Sequence, residues 1–495
     1  MLIGSGIHAL DEILGGGLES QRMYLISGDP GSGKTTLGLQ FLLEGLRRGE
    51  RGLFITLSET REELLAVAAS HGWSLDGMDL FELAPPAEAS LDPDQQYRMF
   101  HPSEVELTET TRAILEVVER TKPKRVVFDS LSEMRLLAQN PLRYRRQVLA
   151  LKHYFVGRDA TILLLDDRSG DQPDSHLESL AHGVIALEME HPEYGAERRR
   201  LRVIKMRGRP FRGGHHDYRI RPGGLDVFPR LVAAEHREEA EPRVYSTGMP
   251  ALDALLGGGI DAGTSTLIMG AAGTGKSTLA VRCIYEAVLR GESASLFLFE
   301  ELPDTLMRRC DAVGMPLAPL LASGRLRITQ VDPAELSAGE FCTLVRREVE
   351  GSDGRPAARM VLIDSLNGYL QAMPEEKFLV ILLHELLAFL AQRRVATFLV
   401  LAQTGLGGPM HTPVDASYLA DTIVLLRYFE AQGAIRQALS VVKKRSGPHE
   451  RTIREVSIGR GGLLVGEPLT EFQGVLTGVP NFVGAAASLR GKAGG

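Results

Sequence analysis

Cysteine is scarce in this chain. Among 495 residues there are three, Cys283, Cys310 and Cys342, far apart in sequence and without a C-x-x-C pair. That argues against a disulfide framework or a thiolate metal site and fits a reducing, cytoplasmic setting. Excess positive charge is also lacking: the net charge is −7 and the pI is near 6.1, so there is no global pull toward nucleic acid. No segment reaches the roughly 18 consecutive apolar residues of a membrane span. The N-terminus has no basic region followed by an apolar core, so no signal peptide is expected. What is present, 44% hydrophobic and 24% charged residues, is the balance of a soluble globular protein. The length suffices for two to four domains with full cores.

The chain is organised around one stretch that occurs twice. Gly270 to Thr278 reads GAAGTGKST and Gly28 to Thr36 reads GDPGSGKTT, both fitting the phosphate-binding pattern G-x-x-x-x-G-K-[ST]. The loop residues are Gly28, Asp29, Pro30, Gly31, Ser32 and Gly33 in the first copy. In the second they are Gly270, Ala271, Ala272, Gly273, Thr274 and Gly275. Glycines let backbone N–H groups close around phosphate oxygens. Lys34 and Lys276 bring charge to the outer phosphates, and the Thr35 and Ser277 hydroxyls suit Mg²⁺. Thr36 and Thr278 complete each motif. In each copy an apolar run leads in and a helix leads out, its positive N-terminal end aimed at the phosphates. The lysines lie 242 residues apart, and the flanks repeat at that offset: Leu10-Asp11 with Leu252-Asp253, Gly15 to Gly17 with Gly257 to Gly259, Glu59 with Glu301.

In the first copy, strands are expected at Met23 to Ser27, Gly52 to Leu57, Arg125 to Phe128 and Thr161 to Leu165. Helices are expected at Thr35 to Arg48, Arg61 to His71, Glu109 to Arg120 and Tyr144 to Gly157. Residues 84 to 103, with four prolines, read as an irregular excursion, and Asp166 to Ser175 as a polar loop. β patterns at Gly183 to Glu188, Arg198 to Arg207 and Asp217 to Ile220 close the first domain, residues 1–232. Residues 233–243 are charged, lack periodicity and read as a linker. The second domain, 244–480, repeats the order: strands at Thr266 to Met269, Ser295 to Phe299, Met360 to Ile363 and Thr397 to Leu401, a helix at Lys377 to Arg393, and late strands at Thr422 to Tyr428 and Ala438 to Lys443. Residues 481–495 read as a disordered tail. The expected fold is α/β: two tandem domains, each a mainly parallel sheet with helices on both faces and its site at the carboxyl ends of the strands.

Three further groups carry chemistry. Asp129 in VVFDS and Asp364 in VLIDS follow apolar strands, where a carboxylate can help organise Mg²⁺. Glu300 and Glu301 end the run LFLF and are candidates to orient or deprotonate a nucleophile; the first copy offers Ser58 and Glu59 instead. Lys205 and Arg207, with Lys443 and Arg445, follow late strands and are cations outside the P-loop.

Taken together these pieces resemble the KaiC family of clock ATPases and autokinases, over residues 1 to about 480. The resemblance is carried by SGIHALDEILGGGL and STGMPALDALLGGGI, both P-loops, ITLSET and FEELPDTL, FDSL and IDSL, KMRG, and LADTIVLLRYFE followed by VVKKRSGPHERTIREV. It implies RecA-like domains in a double-ring homohexamer, with ATP and Mg²⁺ between neighbouring subunits. It also implies that Lys205, Arg207, Lys443 and Arg445 reach the γ-phosphate of the adjacent subunit. The family's second ring phosphorylates a serine–threonine pair before DTI; here that pair reads Ser417-Tyr418, with Thr412 upstream. Ser417 is thus the expected acceptor. The chain departs from the family at Ser58, which replaces a glutamate, and at Tyr418. A DNA-translocating relative is the contrasting reading, but the loops Asp166 to Ser175 and Gln403 to Ser417 hold only Arg168 as a cation, and backbone tracking needs more. A third reading is a nucleotide-gated scaffold with little turnover. Partners other than the chain itself are not legible, and neither nucleic acid nor membrane is expected.

Overall fold

The computed structural model describes residues 1–83, 102–138, 140–155, 157–168, 175–193, 195–238, 241–351, 354–371, 379–403, 417–477 and 481–483. The chain divides into two compact units, Met1–Arg230 and Leu231–Gly495.

In the first unit nine strands form one sheet. Its order is Gly224–Phe228, His215–Arg221, Arg198–Met206, Gly183–Glu190, Met23–Gly28, Thr161–Asp167, Arg125–Asp129, Gly52–Thr56 and Asp79–Glu82. From Gly183–Glu190 to Asp79–Glu82 the pairing is parallel; the last three strands in sequence add antiparallel. The second unit repeats this order strand for strand: Gly462–Pro468, Arg454–Gly459, Ala434–Lys444, Thr422–Ala431, Ser265–Gly270, Ala396–Ala402, Met360–Asp364, Ala294–Leu298 and Leu326–Gln330. This is the expected α/β architecture, two RecA-like domains in tandem.

The central strands are continuously apolar because both faces are covered. Alternation sends Val127, Leu163 and Leu165 to one core, with Leu37 and Phe41 of the helix Lys34–Arg47. Val126, Phe128, Ile162 and Leu164 go to the other, with Val148 and Leu151 of the helix Pro141–Phe155. The second unit is built alike: Leu296 and Leu362 face Leu279 and Ile284, while Phe297 and Ile363 face Leu383 and Leu386. All three cysteines are free and buried, and burial pushes the Cys283 thiol up to about 12, which keeps it unreactive.

Several elements differ from the sequence reading. The helix expected from Glu109 begins at Pro102, a residue suited to the first helical turn. A helix at Leu131–Ala138 and strands at Gly224–Phe228, Leu326–Gln330, Arg454–Gly459 and Gly462–Pro468 were not anticipated. The strand from Thr161 runs on through Asp166 and Asp167, which the sequence suggested were loop. Parallel pairing of Ser27 with Asp166 and Gly28 with Asp167 overrides the poor strand preference of aspartate. Within residues 233–243, Ala233–His236 forms a 3₁₀ turn. Ala233 joins the core that holds Phe389, the ring of His236 meets Phe389 edge-on, and Glu238 pairs with Arg359. Asn481–Phe482, at the start of the expected tail, pairs antiparallel with Phe472–Gln473. Residues 484–495 lie outside the described residues, as do 84–101 of the proline-rich excursion. So do 169–174 and 404–416 of the two loops, the latter including Thr412. Among the described residues no helix is long and apolar enough to cross a membrane.

Candidate functional site

Each P-loop joins the end of a central strand to a helix, Lys34–Arg47 or Lys276–Leu289. The loop turns through Gly33 and Gly275, both with φ of 91°. A side chain at Gly33 would also press on Ile220, and one at Gly275 on Ile458, so only glycine fits.

Around each loop the sequence-predicted residues come together. Thr35 donates to Asp129 at 2.8 Å, and the Ser277 hydroxyl likewise bonds Asp364. Burial raises both aspartates above the usual carboxylate range, and Asp364 keeps one buried oxygen without a partner. A hydroxyl and a carboxylate, in the second unit with one carboxylate oxygen unpartnered, form a hard-oxygen donor set that fits Mg²⁺, which keeps waters and takes phosphate oxygens besides a few protein ligands. No group of three or more His, Cys, Asp or Glu side chains that could hold a metal ion occurs among the described residues.

The lysines differ between sites. Lys276 donates to the Ala271 carbonyl at 2.7 Å; burial lowers its pKa, opposed by Asp364 and Glu300. Lys34 bonds the Gly28 and Asp29 carbonyls and forms an ion pair with Asp167 at 2.6 Å.

The glutamates differ too. Glu300 accepts from the Ser365 hydroxyl at 3.0 Å. Glu301 is held by Arg309, whose third nitrogen donates to Thr278 on the P-loop helix at 2.7 Å. In the first unit, Ser58 stands at the place of Glu300, and Glu59, at the place of Glu301, has one buried oxygen without a partner. Burial, then repulsion from Asp129, Glu63 and Asp167, lifts its pKa to about 7, against the pull of Lys34. Arg309 and Asp167 escaped the sequence reading. The signal was there: the 242-residue repeat puts Val67 at the place of Arg309, and the strand ends LLLDD and LVLA differ where the copies otherwise agree.

Not every candidate lies beside its own P-loop. Lys205 faces Val184, which pairs with Leu25, three residues before Gly28; Lys443 faces Ile423, which pairs with Leu267, three before Gly270. That is roughly 10 Å back along the strand and two strand spacings of about 4.8 Å across. Their amines point further back still, Lys205 to the carbonyls of Glu178 and Ala181, Lys443 to those of Ser417 and Ala420. Arg207 donates to the Ser179 carbonyl and Arg445 to that of Tyr418. Ser417 therefore lies at the strand-start end of its unit with Lys443, away from its own P-loop.

The family model described as "ATPase: KaiC" matches residues 3–232 and again 245–470. This chain belongs to the KaiC ATPase family. Membership implies nucleotide binding at the two P-loops. Among curated relatives, the chain is 28% identical to the circadian clock oscillator protein KaiC of Picosynechococcus sp., over 96% of this chain and 91% of that protein. It is 27% identical to the KaiC proteins so named from Synechococcus elongatus and Thermostichus vulcanus, again over 96% of this chain, and over 91% and 90% of theirs.

Proposed function

We propose that this KaiC-family chain is an ATP-hydrolysing homohexamer of two stacked rings, with nucleotide between neighbouring subunits and serine autokinase activity in the second ring. The observation that carries this reading is the distance of Lys205, Arg207, Lys443 and Arg445 from their own P-loops. Four cations set back along the sheet from their own P-loops support a role at a neighbour's nucleotide.

In each site the P-loop amides and Lys34 or Lys276 hold the phosphates. Thr35 with Asp129, and Ser277 with Asp364, would hold Mg²⁺, which would neutralise phosphate charge. Glu300, oriented by Ser365, takes the proton of the nucleophile in the second site. Glu301 is neutralised by Arg309 and positions the P-loop helix through that contact. In the first site Glu59, with Ser58 beside it, takes the place of Glu301. In the second ring the nucleophile is water or the Ser417 hydroxyl presented by a neighbour, which needs in-line approach to the γ-phosphate.

The output is a regulatory state of the hexamer, clock- or timer-like as the names of its relatives suggest, in the cytoplasm. Ser58 and the Arg309–Glu301 pair favour a second reading, a nucleotide-gated scaffold with little turnover. Incubation with γ-labelled ATP and Mg²⁺, followed by counting label on protein and as free phosphate, separates them. Label in neither pool at full nucleotide occupancy leaves only the scaffold.

A further inference from the structure

The two sites place a carboxylate on different strands. Thr161–Asp167 and Ala396–Ala402 end in the same register, Asp167 beside Gly28 and Ala402 beside Gly270. In the second unit, the side-chain amide of Asn367 pairs with both backbone groups of Ala402, at 3.0 and 2.7 Å, and the carboxylate of the site is Glu300 on the Ser365 hydroxyl. In the first unit Ser132 stands at the place of Asn367. Its hydroxyl donates to Asp167 at 3.1 Å and lies 2.5 Å from the hydroxyl of Ser130, the counterpart of Ser365. The hydroxyl after the strand-end aspartate thus supports a carboxylate in both units, directly in the second and through Ser132 in the first. The first unit thus has Ser58 where the second has Glu300, and Asp167 where the second has Ala402.

The placement of Asp167 bears on the reaction. Its other oxygen is 2.6 Å from the Lys34 amine, which in a loaded P-loop contacts the outer phosphates. With nucleotide bound, the strand-end position of Asp167 beside Gly28 would set its carboxylate near the terminal phosphate, which a water attacks. We propose that Asp167 is the water-orienting carboxylate of the first site, replacing the glutamate missing at Ser58. Water oxygen bonds to the γ-phosphorus as the bond to the β–γ bridging oxygen breaks. The electron pair leaves with ADP, and the water's proton passes to Asp167. The same negative charge repels the terminal phosphate and holds Lys34 in the empty site, so it weakens ATP binding while it speeds hydrolysis. This inference rests on the reading of the first P-loop as an ATPase site.

The test uses the full chain carrying Lys276→Ala, which leaves the first site as the source of turnover. Adding Asp167→Asn is expected to lower kcat by about 10²–10⁴-fold, the usual effect of losing a general base. A fluorescent ATP analogue should at the same time bind tighter, and Ser58→Glu should recover part of the rate. A residue that only supports the fold would not tighten binding as turnover falls. Parent-like turnover in Asp167→Asn, or loss of binding together with turnover, would overturn the proposal. A Lys276→Ala chain that binds the analogue at the first P-loop, with binding removed by Lys34→Ala, yet turns over no ATP would overturn the ATPase reading and this proposal with it.

Discussion

Arg309 grips both carboxylate oxygens of Glu301, one nitrogen 3.1 Å from Oε1 and another 2.7 Å from Oε2, while a third reaches Thr278. The contact ties the helix Pro303–Ala312 to the P-loop helix of the second unit. Arg309→Ala is expected to destabilise that unit by about 1–2 kcal/mol, given partial exposure of both partners. Calorimetry should show the transition of the second unit lowered by a few degrees. Arg309→Lys, which cannot make the bidentate contact, should restore little of it.

Glu59 gives the first unit a pH signature. Its folded-state pKa is about 7, against the ordinary 4.5 of a glutamate side chain. Between those values the folded chain keeps a proton that the unfolded chain has released, so this group's contribution to stability falls as pH rises from about 4.5 to 7 and is constant above. Without nucleotide, Glu59→Gln should gain Tm relative to the parent across that window. A difference between the two that does not change with pH would show that burial and neighbouring carboxylates do not act on Glu59 in this way.

Division of labour follows from Glu300. Glu300→Gln is expected to remove most ATP turnover, and the remainder should vanish when Asp167→Asn is added. Total turnover unchanged in Glu300→Gln would place the main engine in the first unit.

The trans arrangement is open to complementation. Lys443→Ala with Arg445→Ala should lower second-site turnover by about 10³-fold or more, the usual worth of such a cation. Mixed with a Lys276→Ala chain, that variant should regain activity, because neighbours then supply what each lacks. Cations acting within one subunit would leave the mixture as inactive as its parts.

Phosphate transfer should be confined to Ser417. Mass spectrometry after ATP incubation is expected to map phosphate there, and Lys276→Ala to abolish it. Tyr418 is exposed beside it, but its hydroxyl extends several ångströms further from the backbone, so one in-line geometry does not serve both. Phosphate on Tyr418 or Thr412 alone would leave an ATPase without this kinase activity.

The sequence by itself determined the duplicated α/β architecture, the two P-loops and the strand-end aspartates, because these are local patterns: an apolar run, a glycine-rich turn and a helix in fixed order. It also held the substitution of Ser58 for a glutamate. It did not locate the antiparallel strands at Arg454–Gly459 and Gly462–Pro468, whose alternation is weak and whose place is set by pairing with Ala434–Lys444. Nor did it show that Arg309 neutralises Glu301, or that Asp167 meets Lys34 from 133 residues away. The first contact depends on how the helix Pro303–Ala312 turns Arg309 back on the loop before it, and the second on the parallel register that sets Asp167 beside Gly28. The sequence named the charged groups; the tertiary structure decided which of them are paired, which are left buried with an open oxygen, and which are set back along the sheet from their own nucleotide loop.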